Sequence, residues 1–378
     1  MRFFKAAMLI AVTALSLGGC AALLDNQVER RAEAAERRFP PTGQLLEVNG
    51  LTVHADIRGQ GPDLVLLHGA SGSSRDFTFD LVGRLQDRYR VITFDRPGLG
   101  WTDPLPEGND DPRRQADLLR QAADQLGVRN PVVLGHSYGG AVAMAWALGD
   151  PDGTAALVLL AGATYPWEGE LGGLSPFLAT PFGRAVAAPM ISAFAPKSTV
   201  DRAIAEIFAP NPVPDGYASY VGAELTLRQG SLLANAQQVA NLKPYLEKMA
   251  PLYPGLNQPI EIVHGDADTT VGLDIHSRRM VREVPSARLT VLKDVGHMPH
   301  HAAPDQVVAA IDRADAFDHG HSRCHHVSAG GRRTQRHRNS LDLPKSGREG
   351  YPIEGSSHGA CVTCSSEIAE CHRAETAK

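Results

Sequence analysis

The sequence predicts an α/β protein with a mostly parallel central sheet covered by helices. Two observations carry this. Short runs that are apolar throughout, such as Leu64-Val65-Leu66-Leu67 and Leu157-Val158-Leu159-Leu160, alternate with helical stretches, which is how strands buried on both faces read. In addition, His68, Asp95, Ser137, Asp268 and His297 each fall just after such a run. A parallel sheet gathers such positions at the carboxyl ends of its strands, where ligands bind.

The chain has 378 residues, 43% of them hydrophobic, and a net charge of −5. That length is ample for one large core, and the mild acidity gives no argument for nucleic acid as a partner. Residues 1–20 stand apart. Arg2 and Lys5 precede an apolar run, Ala6 to Leu17, which is short for a membrane span. It ends in Leu17-Gly18-Gly19-Cys20, which resembles the lipobox of bacterial lipoproteins. The resemblance implies cleavage before Cys20, lipidation of that cysteine, and a membrane-anchored protein of the bacterial cell envelope. Two acyl signals on one residue suit stable anchoring. Residues 21–41, rich in Ala, Glu and Arg and closed by Pro40-Pro41, are expected to be a tether or a short exposed helix.

The domain itself is expected over residues 42–317. Leu45–Val48 and Leu51–Ala55 flank Asn49-Gly50, a favoured two-residue hairpin turn. Asp63–Leu67 and Arg90–Phe94 read as the next strands, and Arg113–Leu126 as an amphipathic helix. Pro131–Leu134, Leu157–Leu160, Pro259–Val263 and Arg288–Leu292 complete the strands. The helix carrying Gln306 to Ile311 is expected to pack back on the sheet.

Between the strand at Pro131–Leu134 and a run of helix formers from Ala141 to Leu148 lies Gly135-His136-Ser137-Tyr138-Gly139-Gly140. The chain must turn from strand to helix within a few residues, and three glycines let the two backbones approach. Ser137 then sits at the tip of the turn, with a helix N-terminus beneath it, as a nucleophile elbow.

These stretches together resemble the α/β-hydrolases of the capped, lipase- and esterase-like kind, from about residue 42 to residue 315. The matching residues are Leu-Leu-His68-Gly69, Phe-Asp95-Arg96-Pro97-Gly98-Leu-Gly100, the elbow, His-Gly265-Asp-Ala-Asp268 and Val-Gly296-His297-Met-Pro. The order Ser, acid, His is that of this fold. The resemblance also implies a helical cap after the sixth strand, at about 162–228. Tyr165, Trp167, Phe177, Met190, Phe194, Phe208, Tyr217 and Tyr220 are candidates there for lining an apolar pocket or for filling the cap's own core.

A serine hydroxyl needs a base during attack, and His297 is the candidate, since an imidazole titrates near neutrality and can return the proton. His300 and His301 stand nearby, but His297 alone matches the family's Gly-His position. Asp268 is the expected acid through its spacing from Gly265, with Asp266 and Asp294 as alternatives. The oxyanion hole is expected from the backbone N–H groups of Tyr138 and Ala70. Asp95, Arg96 and His68 are expected to brace loops.

A serine hydrolase of carboxylic esters follows, with a small-molecule ester-like substrate and neither cofactor nor metal. Thioester, amide, haloperoxidase or perhydrolase, and carbon–carbon hydrolase chemistry use the same triad. Relatives that cleave carbon–halogen bonds or epoxides carry an aspartate at the elbow, unlike Ser137. A non-catalytic envelope module is the reading of another class. Residues 318–378 hold seven of the fifteen histidines and four of the five cysteines, with no hydrophobic period, and are expected to be disordered or to reflect an altered reading frame. Cys361, Cys364, Cys371 and His372 lack a second clean ligand pair for zinc.

Overall fold

The computed structural model describes the backbone of residues 2–169 and 173–328, and the side chains of residues 19, 21–169 and 173–316. The expectations for the tail beyond residue 328, including Cys361, Cys364, Cys371 and His372, lie outside the described residues, as does the thiol of Cys20.

The first helix, α1, runs Arg2–Arg38, so of the two forms expected for residues 21–41 it is the helix that forms, longer than expected and partly packed. The stretch from Leu24 to Phe39 spaces Leu24, Val28, Ala32, Ala35 and Phe39 along one helical face. Ala35 and Phe39 are buried with Leu225, and Trp101 donates to the Phe39 carbonyl at 3.0 Å. Arg31 donates to the Ala195 carbonyl at 2.9 Å, and ion pairs join Arg38 to Glu224 and Arg228 to Glu36. Ala, Glu and Arg favour the helix, and its small apolar face has a surface to cover.

Asn49 and Gly50 both take positive φ and join β1 (Gln44–Val48) to β2 (Leu51–Arg58) in an antiparallel hairpin. β3 (Asp63–Leu67) leads into the short α2 (Arg75–Thr78) and α3 (Leu81–Leu85), and β4 (Arg90–Phe94) follows. Asp111 caps α4 (Pro112–Gln125) by accepting from the Arg113 N–H, with Pro112 in the first turn. Then come β5 (Val132–His136), α5 (Tyr138–Gly149) and β6 (Ala156–Leu160).

The lid follows β6, as expected, with α6 (Leu174–Ala179), a π turn (Gly183–Ala187), α7 (Ala188–Phe194), α8 (Lys197–Phe208), α9 (Tyr217–Tyr220) and α10 (Ala223–Thr226). It does not end at 228. The unbroken α11 (Gln229–Met249) starts in the lid, where Leu232 and Ala236 pack with Leu178 and Ala188. It ends in the main core with Leu242, Leu246 and Met249. β7 (Ile260–Gly265), α12 (Ser277–Glu283), β8 (Ala287–Leu292), α13 (Pro299–Ala302) and α14 (Pro304–Ser328) close the described chain.

The eight strands form one sheet in the order β1-β2-β4-β3-β5-β6-β7-β8, antiparallel at β1-β2 and β2-β4 and parallel elsewhere. Alternation along the central strands feeds two cores. Val65, Leu67, Val133, Leu157 and Leu159 face α4, α5 and the end of α11. Leu64, Leu66, Val132, Leu134, Val158 and Leu160 face α3 and α14, where Leu81, Leu85, Val307 and Ile311 meet them. Two dry layers hold the central strands rigid, which fixes the loops at their carboxyl ends.

Candidate active site

Close packing makes the turn at Ser137. A Cβ on Gly135 would lie 2.2 Å from the Gly139 carbonyl oxygen, and one on Gly139 would lie 2.1 Å from that of Leu67. No other residue allows α5 to start so close to β5. Ser137 itself has φ 52° and ψ −118°, a conformation costly for a residue with a side chain and held here by its neighbours. Its N–H donates to the Leu160 carbonyl, and its carbonyl accepts from Gly140 and Ala163. Every backbone polar group of Ser137 is thus engaged, and its side chain is left at the mouth of the turn, 8% exposed.

Asp268 and His297 come from the loops after β7 and β8. Their strands are neighbours, and at Gly265 the two loops touch, since a Cβ there would lie 2.0 Å from the Val295 carbonyl oxygen. Asp268 Oδ2 accepts from His297 Nδ1 at 2.8 Å and from His264 Nε2 at 3.1 Å, while Oδ1 accepts from the Thr270 and Val271 N–H groups. Burial would raise its pKa, but the hydrogen bonds from His264 and His297 outweigh it and hold the carboxyl below its ordinary range. An ionised Asp268 fixes the proton on His297 Nδ1 and leaves Nε2 as the basic nitrogen. His264 was not singled out from sequence. It stands one residue before Gly265, at the end of β7, and its Nδ1 faces Ser277 Oγ at 2.6 Å.

Asp266 and Asp294, the alternatives for the acid, do not reach His297. The exposed Asp266 accepts from the Asp294 N–H at 2.7 Å, and Asp294 turns the chain with φ 57°.

The peptide planes at Ala70 and Tyr138 follow from their carbonyls. The Gly69 carbonyl accepts from Arg96 Nη2 at 2.9 Å, so across a trans peptide the Ala70 N–H points the opposite way. The Ser137 carbonyl is turned to Gly140 and Ala163, and the Tyr138 N–H, the first of α5, is likewise directed away from them. Thr226 Oγ1 donates to the Ser71 carbonyl, and Asn235 of α11 accepts from the Ser71 N–H at 2.6 Å. Lid residues therefore hold the loop that carries Ala70.

Arg96 is fully buried behind this loop. It donates to the His68 and Gly69 carbonyls and to Gln115 and Gln238, and lies 4.3 Å from the Tyr138 ring centroid. Burial lowers its pKa to about 10, so it stays charged near neutrality. His68 accepts from the Arg96 N–H at Nε2 and is therefore protonated at Nδ1. Burial, then the Arg96 charge, lowers its pKa to about 4. Asp95 accepts from the Ser74 and Trp101 N–H groups. These three residues brace loops, as the sequence led us to expect.

A second cluster sits behind His297. Asp76 Oδ2 accepts from His300 Nε2 at 3.1 Å, and Oδ1 accepts from His301 Nε2 and the Tyr217 hydroxyl, both at 2.9 Å. The ligand atoms of Asp76, His300 and His301 lie within 4.8 Å of one another, and each is engaged in these hydrogen bonds. His136 Nε2 donates to the His297 carbonyl at 2.9 Å and so ties the histidine loop to the elbow.

Of the lid aromatics, Phe208 and Tyr217 pack with Met298, and Tyr165 meets Tyr253 edge-on. Phe177, Met190 and Phe194 do not line a pocket. Met190 and Phe194 face outward, because the inner side of α7 is made of the small residues Ala188, Ser192 and Ala193, and Phe177 of α6 is likewise exposed.

The model of the Alpha/beta hydrolase family matches residues 64–310. A 2-hydroxy-6-oxononadienedioate/2-hydroxy-6-oxononatrienedioate hydrolase of Pseudomonas putida is 28% identical over 291 residues, 72% of this chain and 94% of that protein. Among solved structures, an alpha/beta hydrolase fold protein from Burkholderia ambifaria is similar with TM-score 0.60 and 24% identity, over 71% of this chain and 96% of that one. A thermophilic esterase from Thermogutta terrifontis has TM-score 0.60 and 22% identity, over 73% and 99%. With the family model spanning β3 to β8, the elbow and the loops after β7 and β8, the chain belongs to the alpha/beta hydrolase family.

Proposed function

We propose that this hydrolase is a serine enzyme cleaving a carboxylic ester, with Ser137 as nucleophile, His297 as general base and acid, and Asp268 as the residue that orients His297. The observation that carries the reading is the 2.8 Å contact from Asp268 to His297 Nδ1, with the His297 carbonyl bonded to His136, the neighbour of a serine held at positive φ. In the first half-reaction His297 Nε2 takes the Ser137 proton as Oγ bonds to the carbonyl carbon. The oxygen that gains charge meets the Ala70 and Tyr138 N–H groups. His297 then gives its proton to the departing alcohol, and an acyl-Ser137 remains. Water, deprotonated by His297, releases the acid and restores the serine. The test is labelling with an organophosphonate and a screen of esters of graded chain length. The unsubstituted chain is labelled and turns over esters, and Ser137→Ala does neither. Labelling of the alanine variant would refute the assignment, and a non-catalytic module would take no label at all.

The Pseudomonas putida relative supports a second reading, hydrolysis of a carbon–carbon bond on the same triad. Such an enzyme would leave simple esters nearly untouched and consume a ring-cleavage product. For localisation we infer a lipid anchor on Cys20 in the bacterial cell envelope, from the lipobox-like Leu17-Gly18-Gly19-Cys20. Among the described residues, no helix is long and apolar enough to cross a membrane. Cys20→Ser should release the protein from membranes of a bacterial host.

A further inference from the structure

The lid carries a surface that the reaction does not use. Residues 174–196 contain a single charged residue, Arg184, where ordinary composition places about one charge in four. Six of the twelve strongly exposed large apolar side chains among the described residues fall in this stretch, namely Leu174, Phe177, Phe182, Val186, Met190 and Phe194, each 45–63% exposed. The last four are spaced by four. The π turn at Gly183–Ala187 and α7 form one helical run, so the four line up along one side of it. The other side is occupied, since Ala188 packs with Leu178, Leu232 and Ala236. An uncovered apolar ridge of this kind marks a surface that meets something.

The neighbouring helix indicates what. α1 packs on α7, with Arg31 bonded to the Ala195 carbonyl. Cys20 lies eleven residues back along the same helix, about 16 Å at the α-helical rise. From Ala6 through Leu24 the sequence has no charge at all, and Leu23 is 74% exposed. The helix that carries the candidate lipid site is therefore docked on the helix that carries the ridge. We propose that the Phe182–Val186–Met190–Phe194 ridge lies in the surface of a phospholipid bilayer. Its side chains enter the acyl region, while Arg184, on the opposite side of the run, donates to the Ala179 carbonyl. A lipid surface rather than a second copy of the chain rests on the envelope reading of Cys20 given above. Docked this way, the lid faces the bilayer and the site beneath it samples lipophilic substrates.

The test uses the full chain, made in a bacterial host and reconstituted into phosphatidylethanolamine/phosphatidylglycerol vesicles with brominated acyl chains, which quench indole only on contact. Phe194→Trp reports on the ridge. Val281→Trp, at a 39% exposed apolar position on α12, reports on a surface outside the lid. Relative to the unsubstituted chain, the added emission of Phe194→Trp should be largely lost and that of Val281→Trp retained. Equal emission from both, in vesicles that hold the protein, overturns the docking. Cys20→Ser judges the anchor separately. Release by Cys20→Ser with an unquenched Phe194→Trp keeps the anchor and sinks the ridge. Quenching of Phe194→Trp by vesicles added to the Cys20→Ser chain supports the ridge independently of the anchor. A dimer in sedimentation that Met190→Arg disperses would assign the ridge to a second copy and overturn the proposal.

Discussion

Asp268 and Asp76 are both buried, both accept from two histidines, and both have carboxyls held below the ordinary range against the opposing effect of burial. They differ in what lies beyond the rings. Past Asp268, His264 is closed off by Val271 and Ser277, while the described hydrogen bond of the His297 ring uses Nδ1 alone. Past Asp76, the rings of His300 and His301 pack on Phe77, Phe79, Phe208 and Tyr217, and His300 Nδ1 is buried without a hydrogen-bond partner. An Asp–His pair is thus not in itself a catalytic element. In the proposed reaction the Asp268 pair moves protons for Ser137, whereas the Asp76 pair ties α2 to the lid and to the loop after β8.

The sharpest test of this contrast is Asp268→Asn. The amide would favour the wrong tautomer of His297 while keeping its size, so kcat should fall by about 10⁴ with the folded structure intact by circular dichroism. A tenfold loss or less would break the division between the two clusters.

The fold was legible because strands buried on both faces advertise themselves as apolar runs, and because Ser137, Asp268 and His297 follow such runs directly. Less legible were features that depend on what an element packs against. Leu24, Val28, Ala32 and Ala35 already had helical spacing, but alanine on a charged helix reads as solvent-facing until the lid is seen beside it. Phe177, Met190 and Phe194 read as pocket lining or as the cap's own core because an aromatic or methionine is usually covered. Nothing in the local sequence says that the small side of α7 is the one turned inward. The pairing of His300 and His301 with Asp76 gave no signal, since Asp76 is more than 200 residues away.

Acidification acts first on buried imidazoles outside the two Asp–His clusters. Burial, with the charge of a neighbour, lowers His68 and His276, which stands before α12 and accepts from the Thr164 and Tyr165 N–H groups, from 6.5 to about 4, and it holds His136 well below its usual value. The unfolded chain therefore takes up these protons near pH 6.5 and the folded chain only near pH 4. Stability is full above about pH 6.5 and falls as pH drops through that window, by roughly 3 kcal/mol for each fully shifted imidazole. The carboxylates act lower. Asp95 is held at about 2 by hydrogen bonds and charge from His54 that overcome its burial. The contributions of Asp95, Asp76 and Asp268 are complete above about pH 4 and lost towards pH 2 and below. Urea midpoints measured from pH 8 to pH 4 should fall steadily below pH 6.5, and a flat profile between pH 7 and pH 5 would contradict the buried neutral imidazoles.

Asp76→Asn sharpens the comparison from the other side. The amide can still accept from one ring but sets its NH₂ against another N–H, leaving a buried donor unpaired. The cost should be about 2 kcal/mol of unfolding free energy, read by urea denaturation. The kcat of the folded fraction should change severalfold at most, because the Asp268–His297 contact is untouched. A loss of kcat as deep as that of Asp268→Asn, without loss of stability, would make Asp76 part of the reaction.

The smallest effect is expected at Asp266, two residues from Asp268 in the same loop. It has the same chemistry but is exposed, and the one described hydrogen bond of its side chain is accepted from the Asp294 N–H. Asparagine at 266 can accept that bond through its amide oxygen, so the turn survives and only a charge facing solvent is removed. Asp266→Asn should change stability by less than about 1 kcal/mol and leave kcat near that of the unsubstituted chain. The two aspartates therefore form an internal control that needs no other protein. Paired asparagine variants, compared for kcat at one pH, should differ by three orders of magnitude or more. If Asp266→Asn were the crippled variant, the loop after β7 would have to rearrange in solution so that Asp266 reached His297 instead of Asp268.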